Sequence, residues 1–474
     1  MSERKRIYLC LAHMSEDGAE QRYVKEAFDT NWVVPLGPNV NGFEKDLEEF
    51  VSLTPNPSPE GEGEACPQPL PEGKGGKRVV ALSSGTAAVH LGLIACGVQP
   101  GDEVCVQSFT FCASSHPITY LGATPVFIDS EKETWNMDPE LLEEAIKDRI
   151  AKTGKKPKAI IPVALYGMPY RIDEIMAIAD KYGIPVIEDA AEGFGSKFNG
   201  QVLGTFGKYG VLSFNGNKMI TTSGGGALIT PDEESWREIM MYATQYRESY
   251  PYYQHEKIGY NYRMSNICAG IGRGQMTVVE DHLAHHKHVQ KMYEELLADV
   301  PGIKVHSQPT DEWTNVKGQK SKVYDSNYWL CTITIDPEVK VKGQENAYKT
   351  IVTGAVGGAA GVIHVADSAT TDCQPNNNVE ALRVLMDQAG IEARPVWKPM
   401  HCQPVYRRVG VESGKLKVES LPNGIIRQTS DASVAYINGV SEAIFKVSMC
   451  LPSGPCVSEE DVKYIVETIK NAIA

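Results

Sequence analysis

The sequence predicts an α/β protein built around a mostly parallel sheet. From residue 78 to about residue 230, short apolar segments alternate with helical patterns, which is typical of strand–helix–strand units. Ala159–Leu165 is continuously apolar, as a strand buried on both faces should be. With 474 residues and 42% hydrophobic content, the chain is also long enough for two or three domains.

The alternating region gives the clearest helix and strand signals. An amphipathic helix is predicted before it, over about Phe43–Val51. Asp138 followed by Pro139 marks the cap and the first position of a helix that runs to Ile150. Strands are predicted at Val79–Leu82, Glu103–Val106, Thr124–Ile128, Val186–Glu188 and Tyr209–Phe214, and further helices at Thr86–Ala95, Phe111–Leu121 and Ile172–Tyr182.

Residues 265–300 have a helical pattern and lead into a second, smaller domain. That domain is predicted to contain a strand at Tyr328–Ile335 and helices at Val379–Ala389 and Glu459–Ala472, the last of them capped by Ser458.

Three stretches depart from this pattern. Residues 54–77 are dominated by proline, glycine and charge, which predicts a solvent-exposed insertion. Residues 338–377 and 407–432 are less regular and carry no functional prediction. The predicted organisation is an N-terminal segment (1–30), a large domain (31–280) that contains the insertion, and a small C-terminal domain (281–474).

Composition and charge exclude several classes of protein. The net charge of −14 and the isoelectric point near 5.4 argue against nucleic acid as a partner. The eleven cysteines are scattered without a CxxC pair, which fits a reducing compartment. The N-terminal apolar stretch is too short for a signal peptide, and no apolar run is long enough to cross a bilayer. We therefore expect a cytoplasmic protein with no membrane partner.

A candidate phosphate site follows the strand at residues 79–82. Gly85 allows backbone N–H groups to approach an anion, and the positive end of the following helix favours negative charge. The hydroxyl groups of Ser84 and Thr86 add donors that suit a phosphate. A capped helix without a ligand is the alternative, because Ser and Thr are common caps.

Two other strand ends carry candidate cofactor contacts. Glu188 and Asp189 project to opposite faces of their strand and so cannot share one role. A carboxylate at such a strand end can hold a pyridinium N–H and keep the ring protonated as an electron sink. A helix cap or a surface acid is the alternative there. The aromatic side chains of Ser108–Phe111 can stack on a flat cofactor, or simply pack in the core.

Lys218 lies just after an apolar segment, five residues beyond Ser213 and before the cluster Gly224–Gly226. This arrangement suggests an amine held in a shaped pocket, where it would be a Schiff-base lysine if the pocket holds pyridoxal phosphate. A solvated lysine in a polar loop is the alternative. In the later segment 259–265, asparagine and arginine side chains lie between tyrosines and can reach an anion, although a loop that ends in an ordinary capping serine is the alternative.

The order and spacing of these motifs resemble the DegT/DnrJ/EryC1/StrS family of pyridoxal-phosphate-dependent sugar aminotransferases. The resemblance also includes Asn31–Pro38, Phe43-Glu44, Trp397–His401 and Leu451–Gly454, and it covers nearly the whole chain apart from the three irregular stretches. It implies the aspartate aminotransferase-like fold (fold type I), with a large, mostly parallel-sheet domain and a smaller C-terminal α/β domain. It also implies pyridoxal 5'-phosphate as the cofactor.

The resemblance further implies a role for each matching residue. Lys218 would be the Schiff-base lysine, Asp189 would pair with the pyridine nitrogen, and Phe111 would stack on the cofactor. Glu192 would lie near the phenolic oxygen of the ring, where a shared proton would avoid repulsion. The phosphate would be bound by Ser84, Gly85, Thr86 and Ser213, and by Asn261 from the partner subunit.

A phosphate contact from a second subunit implies a homodimer with shared active sites. The implied reaction moves an amino group from L-glutamate to a nucleotide-linked keto sugar for the synthesis of a surface polysaccharide or glycan. The specific expectation for the acceptor is a UDP-linked 4-keto-6-deoxy-N-acetylhexosamine. Trp397 and His401 are candidates for the acceptor pocket, with core packing as an equal alternative.

Three other functions remain open. A sugar dehydratase uses the same cofactor, but that branch replaces the Schiff-base lysine by histidine, whereas Lys218 is present. A catalytically silent binding or regulatory protein on this scaffold would usually lack Lys218 or Asp189. A generic amino-acid aminotransferase would need an arginine for a second substrate carboxylate, for which Arg263 and Arg394 are candidates.

Overall fold

A computed structural model of the protein describes residues 5–52, 76–314, 320–348, 373–407 and 416–473. Most of the predicted insertion (54–75) and parts of the two irregular stretches (349–372 and 408–415) therefore lie outside the described residues. The helices are α1 (Ala19–Asp29), α2 (Pro38–Ser52), α3 (Gly85–Ala95), α4 (His116–Tyr120), α5 (Pro139–Thr153), α6 (Ile172–Tyr182), α7 (Glu233–Ala243), α8 (Asn266–Met276), α9 (Val279–Leu297), α10 (Asn377–Gln388), α11 (Val440–Val447) and α12 (Glu459–Ala472).

The strands of the first 300 residues are β1 (Arg78–Leu82), β2 (Glu103–Gln107), β3 (Thr124–Ile128), β4 (Ala159–Ile161), β5 (Ile187–Asp189), β6 (Lys197–Phe198), β7 (Gln201–Val202), β8 (Tyr209–Ser213) and β9 (Gly226–Thr230). The later strands are β10 (Ile303–Val305), β11 (Glu312–Thr314), β12 (Lys320–Lys322), β13 (Tyr324–Asp325), β14 (Cys331–Ile335), β15 (Arg394–Pro395), β16 (Lys417–Ser420), β17 (Ile426–Thr429), β18 (Val434–Ile437) and β19 (Ser448–Leu451).

The large sheet has two halves, in the orders β16-β17-β18-β3-β2-β4 and β5-β8-β9-β1. Single parallel bridges, Ile160 to Val186 and Val163 to Asp189, join the halves between β4 and β5. Neighbouring strands from β18 to β8 run parallel, whereas β9 is antiparallel to both β8 and β1. This mixed α/β architecture with a parallel sheet confirms the predicted fold class.

Both faces of the large sheet are buried. In β1, Val79 and Ala81 enter one apolar cluster, and Val80 and Leu82 enter another on the opposite face. Such burial requires continuous apolar strands, and it explains why the sequence alternates apolar strands with helices that cover them. Since the parallel strands end at one edge, the loops that follow β2, β5 and β8 meet there.

A second sheet, of order β10-β14-β19-β15, is antiparallel throughout. Its apolar face packs with α9, α10 and α12 around a separate core that includes Tyr293, Ile333, Leu382 and Ile465. The capping box predicted for the last helix is present, since Ser458 and Asp461 exchange side-chain to backbone hydrogen bonds.

The structure differs from the predicted elements in several places. The helix predicted at Phe111–Leu121 is divided into a 3-10 turn, Cys112–Ser114, and the short helix α4, which has Pro117 in its first turn. Proline cannot donate a backbone N–H, so it favours a new helix start at that point. Residues 417–437 also form strands of the large sheet, although the predicted boundary placed them in the C-terminal domain (281–474).

Within the parts of the chain that the structure describes, no helix combines the length and apolar character required to span a membrane.

Candidate active site

A cavity of about 360 Å³ lies where the loops after β1, β2, β5 and β8 meet. Its volume is in the range typical of pockets for small molecules and cofactors. Asn261 is exposed and is not among the residues that line it. The other predicted site residues all line it: Ser84, Gly85, Thr86, Phe111, Asp189, Glu192, Ser213 and Lys218.

The N-terminus of α3 forms one part of the cavity wall. The Ser84 hydroxyl caps this helix by accepting the N–H of Ala87 at 3.1 Å. The N–H groups of Gly85 and Thr86 come first in the helix and have no acceptor within it, so they are available to an anion. A Cβ atom on Gly85 would lie 3.1 Å from the Cβ of Ser213, so glycine keeps this cradle open.

Glycine also allows β9 to approach the same loop closely. A Cβ atom on Gly226 would lie 2.4 Å from the backbone N of Gly85, a separation that no side chain could occupy. Gly226, the last residue of the glycine run after Lys218, therefore allows close backbone packing at the anion cradle.

Lys218 lies in the connection between β8 and β9. Backbone hydrogen bonds of 2.9 Å from Phe214 to Gly225 and from Thr222 to Phe214 close this connection. The Lys218 ammonium lies 3.3 Å from Glu192 Oε1 and 3.9 Å from the centre of a Trp329 ring. Its side chain is only 13% exposed, which excludes the solvated lysine that the sequence left open.

Asp189 is buried at the end of β5. Its Oδ2 atom accepts the Ser114 hydroxyl at 2.6 Å, and its Oδ1 atom accepts the N–H of Ala191 at 3.1 Å. Burial raises the pKa of Asp189, and the Ser114 hydroxyl, the Ala191 N–H and the Lys218 ammonium oppose that rise. Glu188, its neighbour on the opposite face, instead accepts the N–H of Phe206 at 3.0 Å.

Glu192 is a second buried carboxyl group in the cavity. Its Oε2 atom accepts the backbone N–H of Tyr166 at 2.8 Å, while Oε1 faces the Lys218 ammonium. Burial raises the pKa of Glu192, although the Lys218 charge lowers it. The shared proton that the family resemblance implies for Glu192 stays a prediction, which this raised pKa supports.

Aromatic side chains form the remaining wall. Phe111 is 49% exposed and lies 5.5 Å from Trp397, centre to centre. The hydroxyl group of Tyr166 accepts the backbone N–H of Trp397 at 2.7 Å. Core packing is therefore not the role of Phe111, whereas it is the role of the fully buried Phe109.

The structure separates the two acceptor-pocket candidates. Trp397 lines the cavity, whereas His401 is fully buried and its Nδ1 atom lies 2.6 Å from the Ser108 hydroxyl. Neither arginine candidate lines the cavity: Arg263 forms a buried, two-pronged ion pair with Glu44, and Arg394 binds Glu392 at 2.6 Å.

Sequence reasoning missed three residues that shape the site. Ser114 holds Asp189, the Tyr166 N–H holds Glu192, and Trp329 lies beneath the Lys218 ammonium. Tyr166 has a left-handed backbone (φ 54°), a conformation that is uncommon for a bulky residue and often marks a functional site. The apolar run before it gave no signal of this turn.

Comparison with known proteins agrees with this geometry. The model of the DegT/DnrJ/EryC1/StrS aminotransferase family matches residues 70–346. EpsN of Bacillus subtilis is 36% identical over 469 residues, which cover 98% of this chain and 95% of EpsN. The chain belongs to the DegT/DnrJ/EryC1/StrS aminotransferase family. It is therefore a pyridoxal-phosphate-dependent aminotransferase, as the sequence predicted.

Two further relatives have names that state a product or a substrate. The GDP-perosamine synthase of Caulobacter vibrioides is 31% identical, over 88% of this chain and 91% of its own length. The UDP-2-acetamido-2-deoxy-3-oxo-D-glucuronate aminotransferase of Pseudomonas aeruginosa is 35% identical, over 56% of this chain and 65% of its own length.

A solved structure shows the same fold. The DegT DnrJ EryC1 StrS aminotransferase of Brucella abortus superposes with a TM-score of 0.71 and 24% identity, over 96% of this chain and 95% of that one. This similarity confirms fold type I.

The residues of the cavity fit pyridoxal 5'-phosphate. The cradle of helix N–H groups at Gly85 and Thr86 suits the phosphate, and the Asp189 carboxyl suits the pyridine nitrogen. Lys218 supplies the amine that such a cofactor requires, and the exposed ring of Phe111 supplies a flat surface.

Proposed function

We propose that this enzyme transfers an amino group from L-glutamate to a nucleotide-linked keto sugar, and that a UDP-linked 4-keto-6-deoxy-N-acetylhexosamine is the acceptor. The observation that carries the proposal is the single cavity that unites the Lys218 amine, the Asp189 carboxyl and the N-terminus of α3. The relatives named for GDP-perosamine and for a UDP-linked 3-oxo sugar support a nucleotide sugar as the substrate class.

The bound cofactor supplies an electron sink for the carbanion that forms when the donor loses its α-proton. Asp189 keeps that sink effective by holding the pyridine N–H. The Ser114 hydroxyl and the Ala191 N–H orient the Asp189 carboxyl group for this purpose. These two hydrogen bonds stabilise the negative charge of the buried Asp189 carboxylate.

Lys218 performs the proton transfers in this proposal. Its Nζ atom accepts the α-proton of the donor, which requires that the amine be neutral at that moment. The resulting ammonium group later returns a proton to the product. Glu192 Oε1 lies 3.3 Å from Nζ and can hold the proton that the lysine gives up. The raised pKa of Glu192 suits this role, because a buried carboxyl group takes up a proton readily.

The acceptor would approach along the aromatic wall. Trp397 and Phe111 lie together in the wall of the cavity, and their rings can pack against a sugar ring. Arg263 and Arg394 are each paired with a glutamate outside the cavity, so neither is assigned to a substrate carboxylate.

We further infer that the enzyme is a homodimer with shared active sites, and that the partner subunit's Asn261 reaches the phosphate. The exposure of Asn261 and its position outside the cavity support this assignment.

We also propose that the enzyme is located in the cytoplasm. This location is supported by the free cysteines of the described residues, which suit a reducing compartment.

Incubation with L-glutamate and a panel of UDP- and GDP-linked 3-keto and 4-keto sugars tests the function. We expect 2-oxoglutarate to be released only with the correct acceptor, and mass spectrometry would show the aminated sugar. Lys218→Ala should reduce the rate by roughly 10²- to 10⁴-fold, whereas Lys208→Ala, at an exposed lysine, should not. A Lys218→Ala enzyme with the wild-type rate would refute the assignment.

A further inference from the structure

Three metal-ligating side chains from separate parts of the chain meet outside the cofactor cavity. Cys373 lies four residues before α10, Cys402 is the last residue of the 3-10 turn Met400–Cys402, and Glu442 lies in the first turn of α11. The two sulfur atoms and a Glu442 carboxylate oxygen all lie within 4.8 Å of one another. None of the three lines the cavity.

We propose that Cys373, Cys402 and Glu442 bind one zinc ion, with water in the fourth position. Two thiolates and a carboxylate are ligands that zinc accepts, whereas magnesium and calcium prefer oxygen ligands alone. In a tetrahedral site with Zn–S bonds of about 2.3 Å, neighbouring ligand atoms lie about 3.5–3.8 Å apart. The observed separations therefore require shifts of only about 1 Å.

The burial of the ligands suits a site that is closed on one side and open on the other. Cys373 and Cys402 are 2% and 1% exposed and belong to the apolar core. The Glu442 side chain is 28% exposed, so an ion and its bound water can enter from that side. Burial of the two sulfur atoms protects them from bulk solvent, while the carboxylate provides the entry path.

A buried histidine orients the proposed carboxylate ligand. The Ser108 hydroxyl oxygen accepts the backbone N–H of His401 at 3.2 Å, which leaves its own proton free for His401 Nδ1 at 2.6 Å. The ring proton then lies on Nε2, which donates to Glu442 Oε1 at 3.1 Å. Ligating carboxylates typically have such a supporting hydrogen bond.

Zinc at this position would connect the C-terminal region to the cofactor cavity. Glu442 is linked through His401 to Ser108, the first residue after β2 and three residues before Phe111. An ion that fixes Glu442 would thus hold the loop that carries the stacking ring. Because the ion lies outside the cofactor cavity, we assign it the role of holding this loop in position, which is independent of the identity of the sugar substrate.

The test uses the holoenzyme without a polyhistidine tag, produced in cells that are grown with added zinc. We expect one zinc ion per chain by elemental analysis. We also expect the visible absorption of tetrahedral cobalt with sulfur ligands after Co²⁺ replaces zinc. Cys402→Ser and Glu442→Gln should each weaken zinc binding at least about 10-fold, and His401→Gln should weaken it about 10- to 100-fold by releasing the carboxylate.

Cys456→Ser is the matched control, because this exposed thiol lies outside the cluster and pairs with His13. It should bind zinc as the wild type does. Glu442→Gln alters a partly exposed side chain, so it provides a second test if Cys402→Ser does not fold. Three results would overturn the proposal: a wild type without zinc, variants that bind zinc normally, or a Cys373–Cys402 disulfide in the purified protein.

Discussion

At the residue scale, one short hydrogen bond distinguishes Asp189 from the acidic residue beside it. The alternation of a strand sends Glu188 to the opposite face, where the backbone N–H groups of Phe206 and Gly207 donate to its Oε2 atom. Asp189 instead faces the cavity and receives the Ser114 hydroxyl at 2.6 Å. Ser114 is thus a positioning residue for the group that holds the cofactor ring.

We predict that Ser114→Ala weakens the binding of pyridoxal phosphate about 10-fold or more, since a hydrogen bond to a charged group contributes about 1.5–3 kcal/mol. The loss should also raise the pKa of Asp189 further. Titration of the apoenzyme with the cofactor, followed by its visible absorbance, measures the dissociation constant.

The adjacent Ser115 is the matched control. Its hydroxyl contacts the Cys112 carbonyl and the Tyr406 hydroxyl and does not contact Asp189. Ser115→Ala should leave the dissociation constant within about 2-fold of the wild-type value. Equal effects of the two substitutions would refute a specific role for Ser114.

The predicted site residues are those whose signal lies in the local sequence. Gly85 and Lys218 stand beside strands with distinctive neighbours, so a single sequence marks them as candidates. Ser114 and Trp329 contribute through contacts across 75 and 111 positions of the chain, which no local pattern contains. Arg263 carried a local signal, but the buried carboxylate that pairs with it lies on a distant helix.

At the element scale, a buried ion pair joins α2, β1 and the segment before α8. The two terminal nitrogens of Arg263 donate to the two carboxylate oxygens of Glu44, and these side chains are only 8% and 10% exposed. Both also bond the backbone of Ala81, because Glu44 accepts its N–H and Arg263 donates to its carbonyl. This pairing fixes the strand that leads into the anion cradle.

We predict that Glu44→Gln or Arg263→Met alone lowers the free energy of unfolding by about 3–5 kcal/mol, because each leaves a buried charge unpaired. The double variant should lose less than the sum of the two. Urea denaturation of the three variants measures this coupling. Lys25→Met, which breaks an exposed ion pair with Asp29, should cost less than about 1 kcal/mol. Additive losses in the double variant would contradict the prediction.

Elements with strong local signals were predicted most closely. Thr124–Ile128 and Ile172–Tyr182 have the predicted bounds, and the Asp138 cap is present. By contrast, Ala159–Leu165 was predicted as one strand, but β4 ends at Ile161 and a 3-10 turn begins at Leu165. An apolar run indicates burial, and burial alone does not distinguish a strand from a turn.

At the scale of the whole molecule, the C-terminal region returns to the large sheet. β18 pairs in parallel with β3, and the buried Arg427 of β17 binds Asp148 of α5 at 2.6 Å. The sequence did not predict this return, because the pairing joins segments about 300 residues apart. The division into a large domain (31–280) and a small domain (281–474) stays a prediction, with β16–β18 assigned to the large sheet.

Buried histidines should make the stability of the whole molecule sensitive to acid. Burial lowers the pKa of both His286 and His306 to about 3, and the Nε2 atom of each has no hydrogen-bond partner among the described residues. Between pH 6.5 and pH 3 the unfolded chain therefore binds protons that the folded chain does not. The free energy of unfolding therefore decreases as the pH is lowered through that window, by up to about 1.4 kcal/mol per pH unit for each histidine.

Urea denaturation at pH 6.5 and at pH 5 tests this expectation. The wild type should lose up to about 2 kcal/mol per buried histidine over that interval. His306→Phe keeps a ring stacked on Trp135 and cannot titrate, so it should reduce the loss. His255→Gln, at an exposed histidine, should leave the loss of stability unchanged. An unchanged pH dependence in His306→Phe would exclude this histidine as a cause.

The proposed sharing of active sites between subunits can be tested with mixtures of two defective variants. Tyr252 and Ile258, in the segment before Asn261, are 69% and 86% exposed, and apolar exposure of this kind marks a protein contact surface. If each site combines Lys218 of one subunit with the partner's Asn261, a dimer of one Lys218→Ala and one Asn261→Ala subunit contains one intact site. An equal mixture that exchanges subunits freely should then regain about a quarter of the wild-type activity. Assays at low cofactor concentration, before and after subunit exchange, measure this recovery. A mixture that shows only the average of the two separate variants would establish that each site is formed within one chain.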